Sequence, residues 1–256
     1  MGVLSNRISV EDLRSGDHVY SWRIAYTYSH HGIYVGDNKV IHFTRGKAES
    51  ENNALLDLLL ISSGYSKTTK ACEACRHQQG MDGVICCCLD CFLDGGALYR
   101  FEYGVNPGFF LAKARGGTCT LAESDPPETV LHRATYLLQN GFGCYNVFKN
   151  NCEDFAVYCK TGLLVLDGLN VGSQAASILA AVAAVFSSPL RFLTTSIPGI
   201  TAVAGGVYCF SRLAADIGNR KDAVKVPVES LTARLGVNDL PIMSSISAEP
   251  VLQVQM

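Results

Sequence analysis

Two imidazoles and a thiol stand out as residues that could work together. His30 and His42 lie twelve residues apart in YSHHGIYVGDNKVIHF, and Cys152 follows more than a hundred residues later in KNNCEDFAVYCK. A cysteine nucleophile needs a thiolate, a base to hold its proton and a group to orient that base. The pattern around Cys152 predicts a helix over NCEDFAVYCKTGLL, with Asn151 as N-cap and Gly162 as the stop. Backbone N–H groups and the helix dipole favour negative charge at Cys152 in that first turn, while Glu153 and Asp154 oppose it.

Whether the imidazoles meet depends on strand register. HGIYV and KVIHF read as two strands around Gly36, Asp37 and Asn38. A two-residue loop would send His30 and His42 to opposite faces, because side chains alternate. A three-residue loop would pair Val35 with Lys39 and Gly32 with His42, making the histidines diagonal neighbours on one face. DHVYSW supplies a further strand, and GALYRFEYG resumes strand character after residue 95. SDPPETVLHRATYLLQNG carries helix punctuation, with prolines at its start and Gly141 at its end.

The chain has 256 residues, 48% of them hydrophobic, which is enough for a full core. A net charge of −2 excludes an electrostatic case for nucleic acid as a partner. The N-terminus lacks the apolar stretch of a signal peptide, so a cytoplasmic setting with reduced thiols is expected. No glycine-rich phosphate loop is present.

Residues 50–95 read as an insertion, with a short helical stretch at NALLDLLL. Its second half, CEACRHQQGMDGVICCCLDC, holds Cys72-x-x-Cys75 and Cys88-x-x-Cys91. Two such pairs have the spacing of a tetrahedral structural Zn²⁺ site, and soft thiolates would take Pb²⁺ or Cd²⁺ as well. The competing reading is a buried or palmitoylated cysteine cluster at a membrane surface. From about residue 171 the composition turns to Ala, Val, Leu, Gly and Ser. Residues 171–213 are expected to form an apolar helical hairpin, packed on the domain or lying on a membrane; each run is shorter than a spanning helix requires. The polar tail over 221–256 is expected to be loosely ordered.

HHGIYVGDNKVIH and NNCEDFA resemble the two signature boxes of the lecithin:retinol acyltransferase domain, a group of NlpC-type, permuted papain-like thiol enzymes that includes the HRAS-like suppressor phospholipase/acyltransferases. The similarity covers roughly residues 10–165, and the whole chain is most similar to the plant LEAD-SENSITIVE-type, or NC-domain, group. The Cys-rich insertion is its departure from the family. The resemblance implies an α+β fold, with an antiparallel sheet packed on helices in the permuted papain-like arrangement. It further implies a thiol acyltransferase or phospholipase A acting on phospholipids or other acyl lipids at a membrane surface, needing no cofactor for catalysis. Cys152 would be the nucleophile, His30 the general base and His42 its orienting partner, with Asn151, Glu153 and Tyr34 in supporting positions. His31 fills a slot where relatives carry an aromatic residue and is read as neighbouring. Two other readings remain: a membrane-associated adaptor with little turnover, and an amidase or peptidase of the NlpC type.

Overall fold

The computed structural model describes residues 6–23, 28–44, 72–75, 83–113, 115–143, 151–165 and 197–235. Strands β1 (His18–Arg23), β2 (Tyr28–Gly36), β3 (Lys39–Thr44), β4 (Gly83–Cys88) and β5 (Tyr99–Arg100) form one antiparallel sheet in the order β4-β3-β2-β1-β5. A second, two-stranded sheet pairs β6 (Leu163–Val165) with β7 (Ala223–Lys225). The helices are α1 (Leu89–Leu93), α2 (Pro107–Ala112), α3 (Pro127–Asn140), α4 (Cys152–Thr161), α5 (Ile197–Ala215) and α6 (Val228–Leu235). The fold is therefore α+β, an antiparallel sheet with helices packed on it.

The alternation of β2 and β3 divides the apolar residues between two faces. Ile33, Ile41 and Phe43 turn toward α3 and α4, where they meet Val130, Ala134, Leu137, Phe155, Ala156 and Tyr158. Val19, Val40 and Cys87 turn the other way, onto Leu89 and Phe92 of α1 and onto Leu98. Helix α3 begins with Pro127 at its first position, where the missing N–H is no loss, and ends where the Gly141 N–H bonds the Leu137 carbonyl. Helix α4 ends on Gly162, which takes the left-handed conformation at φ 68°.

The β2–β3 hairpin combines features of both loops considered from the sequence. Gly36 pairs with Lys39 around a two-residue turn, Asp37 and Asn38, whose φ values are 48° and 56°. Asp and Asn tolerate this conformation, and it matches the twist of the flanking strands. A bulge between Tyr34 and Gly36 then shifts the register by one residue, so that Gly32 still pairs with His42. The pairing expected from the three-residue loop is reached by a tight turn plus a bulge.

Two expectations need correction. The stretch read as an insertion over 50–95 contains an edge strand of the main sheet: β4 pairs with β3 from Lys39↔Cys88 to Thr44↔Gly83. The valine, isoleucine and cysteines of GVICCC suit a pleated surface, and the cysteine count concealed it. The tail expected to be loosely ordered carries β7 and α6. Val226, Val228 and Leu231 are buried in the core beside α3 and α4, and the Tyr158 hydroxyl donates to the Val226 carbonyl at 2.9 Å. Average polarity hid this apolar stripe. Residues 236–256, the NALLDLLL stretch and residues 171–196 lie outside the described residues. Of the segment read as an apolar hairpin, the described part belongs to α5, and no helix among the described residues is long and apolar enough to cross a membrane.

Gly32 sits where the hairpin, α1 and the histidines converge. A Cβ there would lie 2.6 Å from Val40 Cγ1 and 3.0 Å from both the Ile41 carbonyl oxygen and Phe92 Cε2. Gly32→Ala is expected to destabilise the protein by about 1–3 kcal/mol through overpacking, read as a lower denaturant midpoint with an unchanged slope.

Candidate active site and thiolate centre

His30 and His42 share a face of the sheet and a hydrogen bond, His30 Nε2 to His42 Nδ1 at 2.8 Å, with the rings at 85°. Both side chains are buried. The chain of contacts continues: His42 Nε2 lies 3.2 Å from Cys87 Sγ on β4. Phe92 of α1 packs on both rings, with centroids 5.3 Å from His30 and 5.5 Å from His42. Arg23 holds α1 in place, its guanidinium donating to the Leu93 carbonyl at 2.7 Å and to the Phe92 carbonyl. Cys87, Phe92 and Arg23 were not singled out by the sequence reading. Only recognition of β4 as a strand, which puts one of three adjacent cysteines on the histidine face, could have flagged Cys87.

Cys152 opens α4 as expected, and its side chain is 4% exposed. Asn151 caps the helix: its Oδ1 accepts from the Glu153 and Asp154 N–H groups at 2.9 and 3.1 Å, and Asp154 returns a bond to the Asn151 N–H. The thiol lies 3.8 Å from the carbonyl oxygen of Ser29, the residue before His30. It is also close enough to act on Arg23 and Tyr28: a thiolate at Cys152 favours the guanidinium and opposes ionisation of the phenol. By strand alternation Arg23 and Tyr28 belong to the His30 face. The sulfur thus meets the sheet at the strand that carries His30. Tyr34 serves the turn, its hydroxyl accepting from the Asn38 N–H at 3.4 Å.

The acids after Cys152 oppose its thiolate less than the sequence suggests. Burial raises the Glu153 carboxyl to about 8, with the neighbouring Asp154 adding to the rise. Burial also raises Asp154 to about 6, against the Asn151 N–H that lowers it. Near neutral pH Glu153 mostly holds a proton, which removes a negative charge from the start of the helix.

His31 turns to the opposite face from His30 and enters a second histidine pair. His18 Nε2 lies 2.8 Å from His31 Nδ1, His31 Nε2 lies 2.7 Å from Ser29 Oγ, and His18 Nδ1 lies 2.7 Å from the Tyr103 hydroxyl. Burial pushes His31 down to about 3 and His18 well below the ordinary range, so both are neutral. This chain fixes β2 at the residue the Cys152 thiol touches.

The four cysteines expected to bind metal come together. Cys72, Cys75, Cys88 and Cys91 place their sulfurs within 4.8 Å of one another, with Cys72 to Cys88 at 3.9 Å and Cys75 to Cys91 at 3.7 Å. A tetrahedron of thiolates about 2.3 Å from a zinc ion has edges of about 3.8 Å, so the donor set fits. None of the four is in a disulfide. Backbone N–H groups of Cys75 and Ala74, with the Cys91 thiol, bring Cys72 down to about 7. Burial raises Cys88 and Cys91 of this set, as it does Cys86 and Cys87 on β4 outside it.

The raised Glu153 carboxyl makes stability depend on pH. Its folded value of about 8 exceeds the ordinary 4.5, so the native state holds an extra proton and stability falls as pH rises across that window. Glu153→Gln is expected to flatten that fall and to gain at least about 1 kcal/mol over the native chain at pH 8, measured by denaturant unfolding from pH 4.5 to 8.5.

The comparisons with known proteins agree with this architecture. The family model described as Lecithin retinol acyltransferase matches residues 11–165. The chain is 60% identical to Protein LEAD-SENSITIVE 1 of Arabidopsis thaliana over 238 residues, 92% of each chain. It is 30% identical to Lecithin retinol acyltransferase of Rattus norvegicus over 53% of this chain and 49% of that one. The corresponding Mus musculus protein is 29% identical over 52% and 48%. The match extends from the strand that precedes the histidine hairpin through the helix that begins at Cys152, and the chain belongs to the lecithin retinol acyltransferase family.

Proposed function

We propose that the protein is a cysteine-dependent acyltransferase or phospholipase acting on acyl lipids, built on a permuted papain-like arrangement. The observation that carries the proposal is the 2.8 Å bond that joins His42 to His30, which stands on the strand that Cys152, at the start of α4, touches. Family membership supports the chemistry, since relatives carry the name of an acyltransferase.

The steps follow from the residues. His30 takes the Cys152 proton, while His42 accepts the His30 Nε2–H and keeps its ring oriented. The thiolate attacks the ester carbonyl carbon, and the Cys152 backbone N–H offers one donor to the developing oxyanion. As the tetrahedral intermediate collapses, His30 returns the proton to the departing alcohol oxygen and a thioester remains on Cys152. Attack by water, with His30 again taking a proton, releases the fatty acid; attack by an amine or lysolipid hydroxyl completes acyl transfer. The lipid would be met at a cytoplasmic membrane surface. The described part of α5 supplies an exposed aromatic for this, Phe210, at 73%.

We further propose that Cys72, Cys75, Cys88 and Cys91 hold one structural Zn²⁺. They would bind it as thiolates, tying residues 72–75 to β4 and α1. Chelator-free protein is expected to contain close to one zinc per chain, lost on Cys72→Ser. Metal-free, well-folded protein would refute the centre.

The low exposure of Cys152 favours one alternative, a membrane-associated adaptor with little turnover. Intact-mass analysis after exposure to phosphatidylcholine liposomes decides between the two. A mass gain of one acyl group that maps to Cys152 and disappears in Cys152→Ala is expected. His30→Ala should slow its formation by roughly 10²-fold or more. No adduct, with fatty-acid release unchanged in Cys152→Ala, would sink the enzyme.

A further inference from the structure

Two cysteines of the thiolate centre stand next in the chain to residues that touch the imidazole pair. Cys88 is a proposed zinc ligand, and its predecessor Cys87 touches His42 at 3.2 Å. Cys91 is another ligand, and its successor Phe92 lies on both imidazoles. Between them runs α1, five residues long and far too short to persist by its own hydrogen bonds. It is anchored at its end by Arg23 and at its start by the Leu89 N–H, which donates to the Asn38 carbonyl in the hairpin turn at 2.8 Å. Cys75 and Cys91 also pack against the cluster formed by Val19, Val40, Cys87, Leu89, Phe92 and Leu98.

We infer that the thiolate centre acts on the imidazole pair through Cys87 and Phe92, which are positioning residues: with zinc bound, β4 and α1 are locked together and hold His42 and His30 in hydrogen-bond register. Bound zinc would fix Cys88 and Cys91 relative to each other, and so the adjoining residues that touch the rings. Zinc would thereby tune acyl transfer without touching substrate. The inference rests on the proposed site and its zinc, and its test reads the rings themselves, so that it can fail separately from the lipid chemistry.

The test compares zinc-loaded protein, protein stripped by a chelator, and Cys72→Ser, in which a ligand outside β4 and α1 is lost. Circular dichroism checks folding. Ring ¹⁵N resonances of His30 and His42 report the pair, and the rate of Cys152 alkylation by iodoacetamide at pH 7 reports the thiol. Zinc loss is expected to shift both sets of ring resonances and to slow alkylation by about tenfold or more; re-adding zinc restores the stripped protein but not Cys72→Ser. Acyl-enzyme formation should fall through kcat with KM little changed. In loaded protein, Cys87→Ala should disturb the His42 resonances while Cys87→Ser, whose hydroxyl oxygen can accept the His42 Nε2–H, restores them. Ring resonances and alkylation unchanged on zinc loss would overturn the inference, as would failure of the intact protein to bind zinc. Should stripping unfold the chain, unchanged resonances in loaded Cys87→Ala and Phe92→Ala would overturn it instead. Zinc-dependent ring shifts without any acyl-enzyme would sink the lipid enzyme and leave the coupling standing.

Discussion

Everything at the candidate site depends on the register of one hairpin. Because Gly32 pairs with His42, the two imidazoles emerge on the same side of the sheet and meet at hydrogen-bond distance. A slip of one residue would turn His42 toward α3 and α4, into the apolar layer occupied by Ile41 and Phe43, and bring Ile41 to the polar side. Both faces therefore enforce the register: one side would bury unpartnered imidazoles in a greasy layer, the other would lose its core. The bulge after Tyr34 reconciles a tight Asp-Asn turn with that constraint.

The start of α4 balances two opposed demands. The helix needs acids in its first turn for capping, and the thiolate needs them neutral. Asn151 and Asp154 meet the first demand through their reciprocal bonds. Burial of Glu153 meets the second, since a carboxyl withdrawn from water keeps its proton. The Tyr103–His18–His31–Ser29 chain, with its two imidazoles buried, is the counterpart on the sheet.

Much of this was legible in the sequence where the signal is local. The strands around His30 and His42, the N-cap at Asn151, the stop at Gly162 and the two Cys-x-x-Cys pairs all rest on residues a few positions apart. What the sequence concealed is non-local. GVICCC reads as metal-binding loop until β3 is there to pair with it. Val226, Val228 and Leu231 look like scattered apolar residues in a polar tail until α3 and α4 cover them. Phe92 and Arg23 gain meaning only from what α1 brings together. Spacing finds ligands and caps, but it does not find the packing that holds them.

The placement of β7 and α6 means that the stretch matched by the family model and the unit of folding have different ends. The match to the family model stops at residue 165, yet β6 there is hydrogen-bonded to β7, some sixty residues further on, and the lid of the helical core comes from beyond it. An excised segment ending at 165 would leave β6 with a raw edge and Tyr158 facing water. It would forfeit on the order of 1.5–3 kcal/mol for each large side chain no longer covered, and a few such losses together approach the margin of about 5–15 kcal/mol by which a domain stays folded. β7 and α6 are thus part of the domain's architecture.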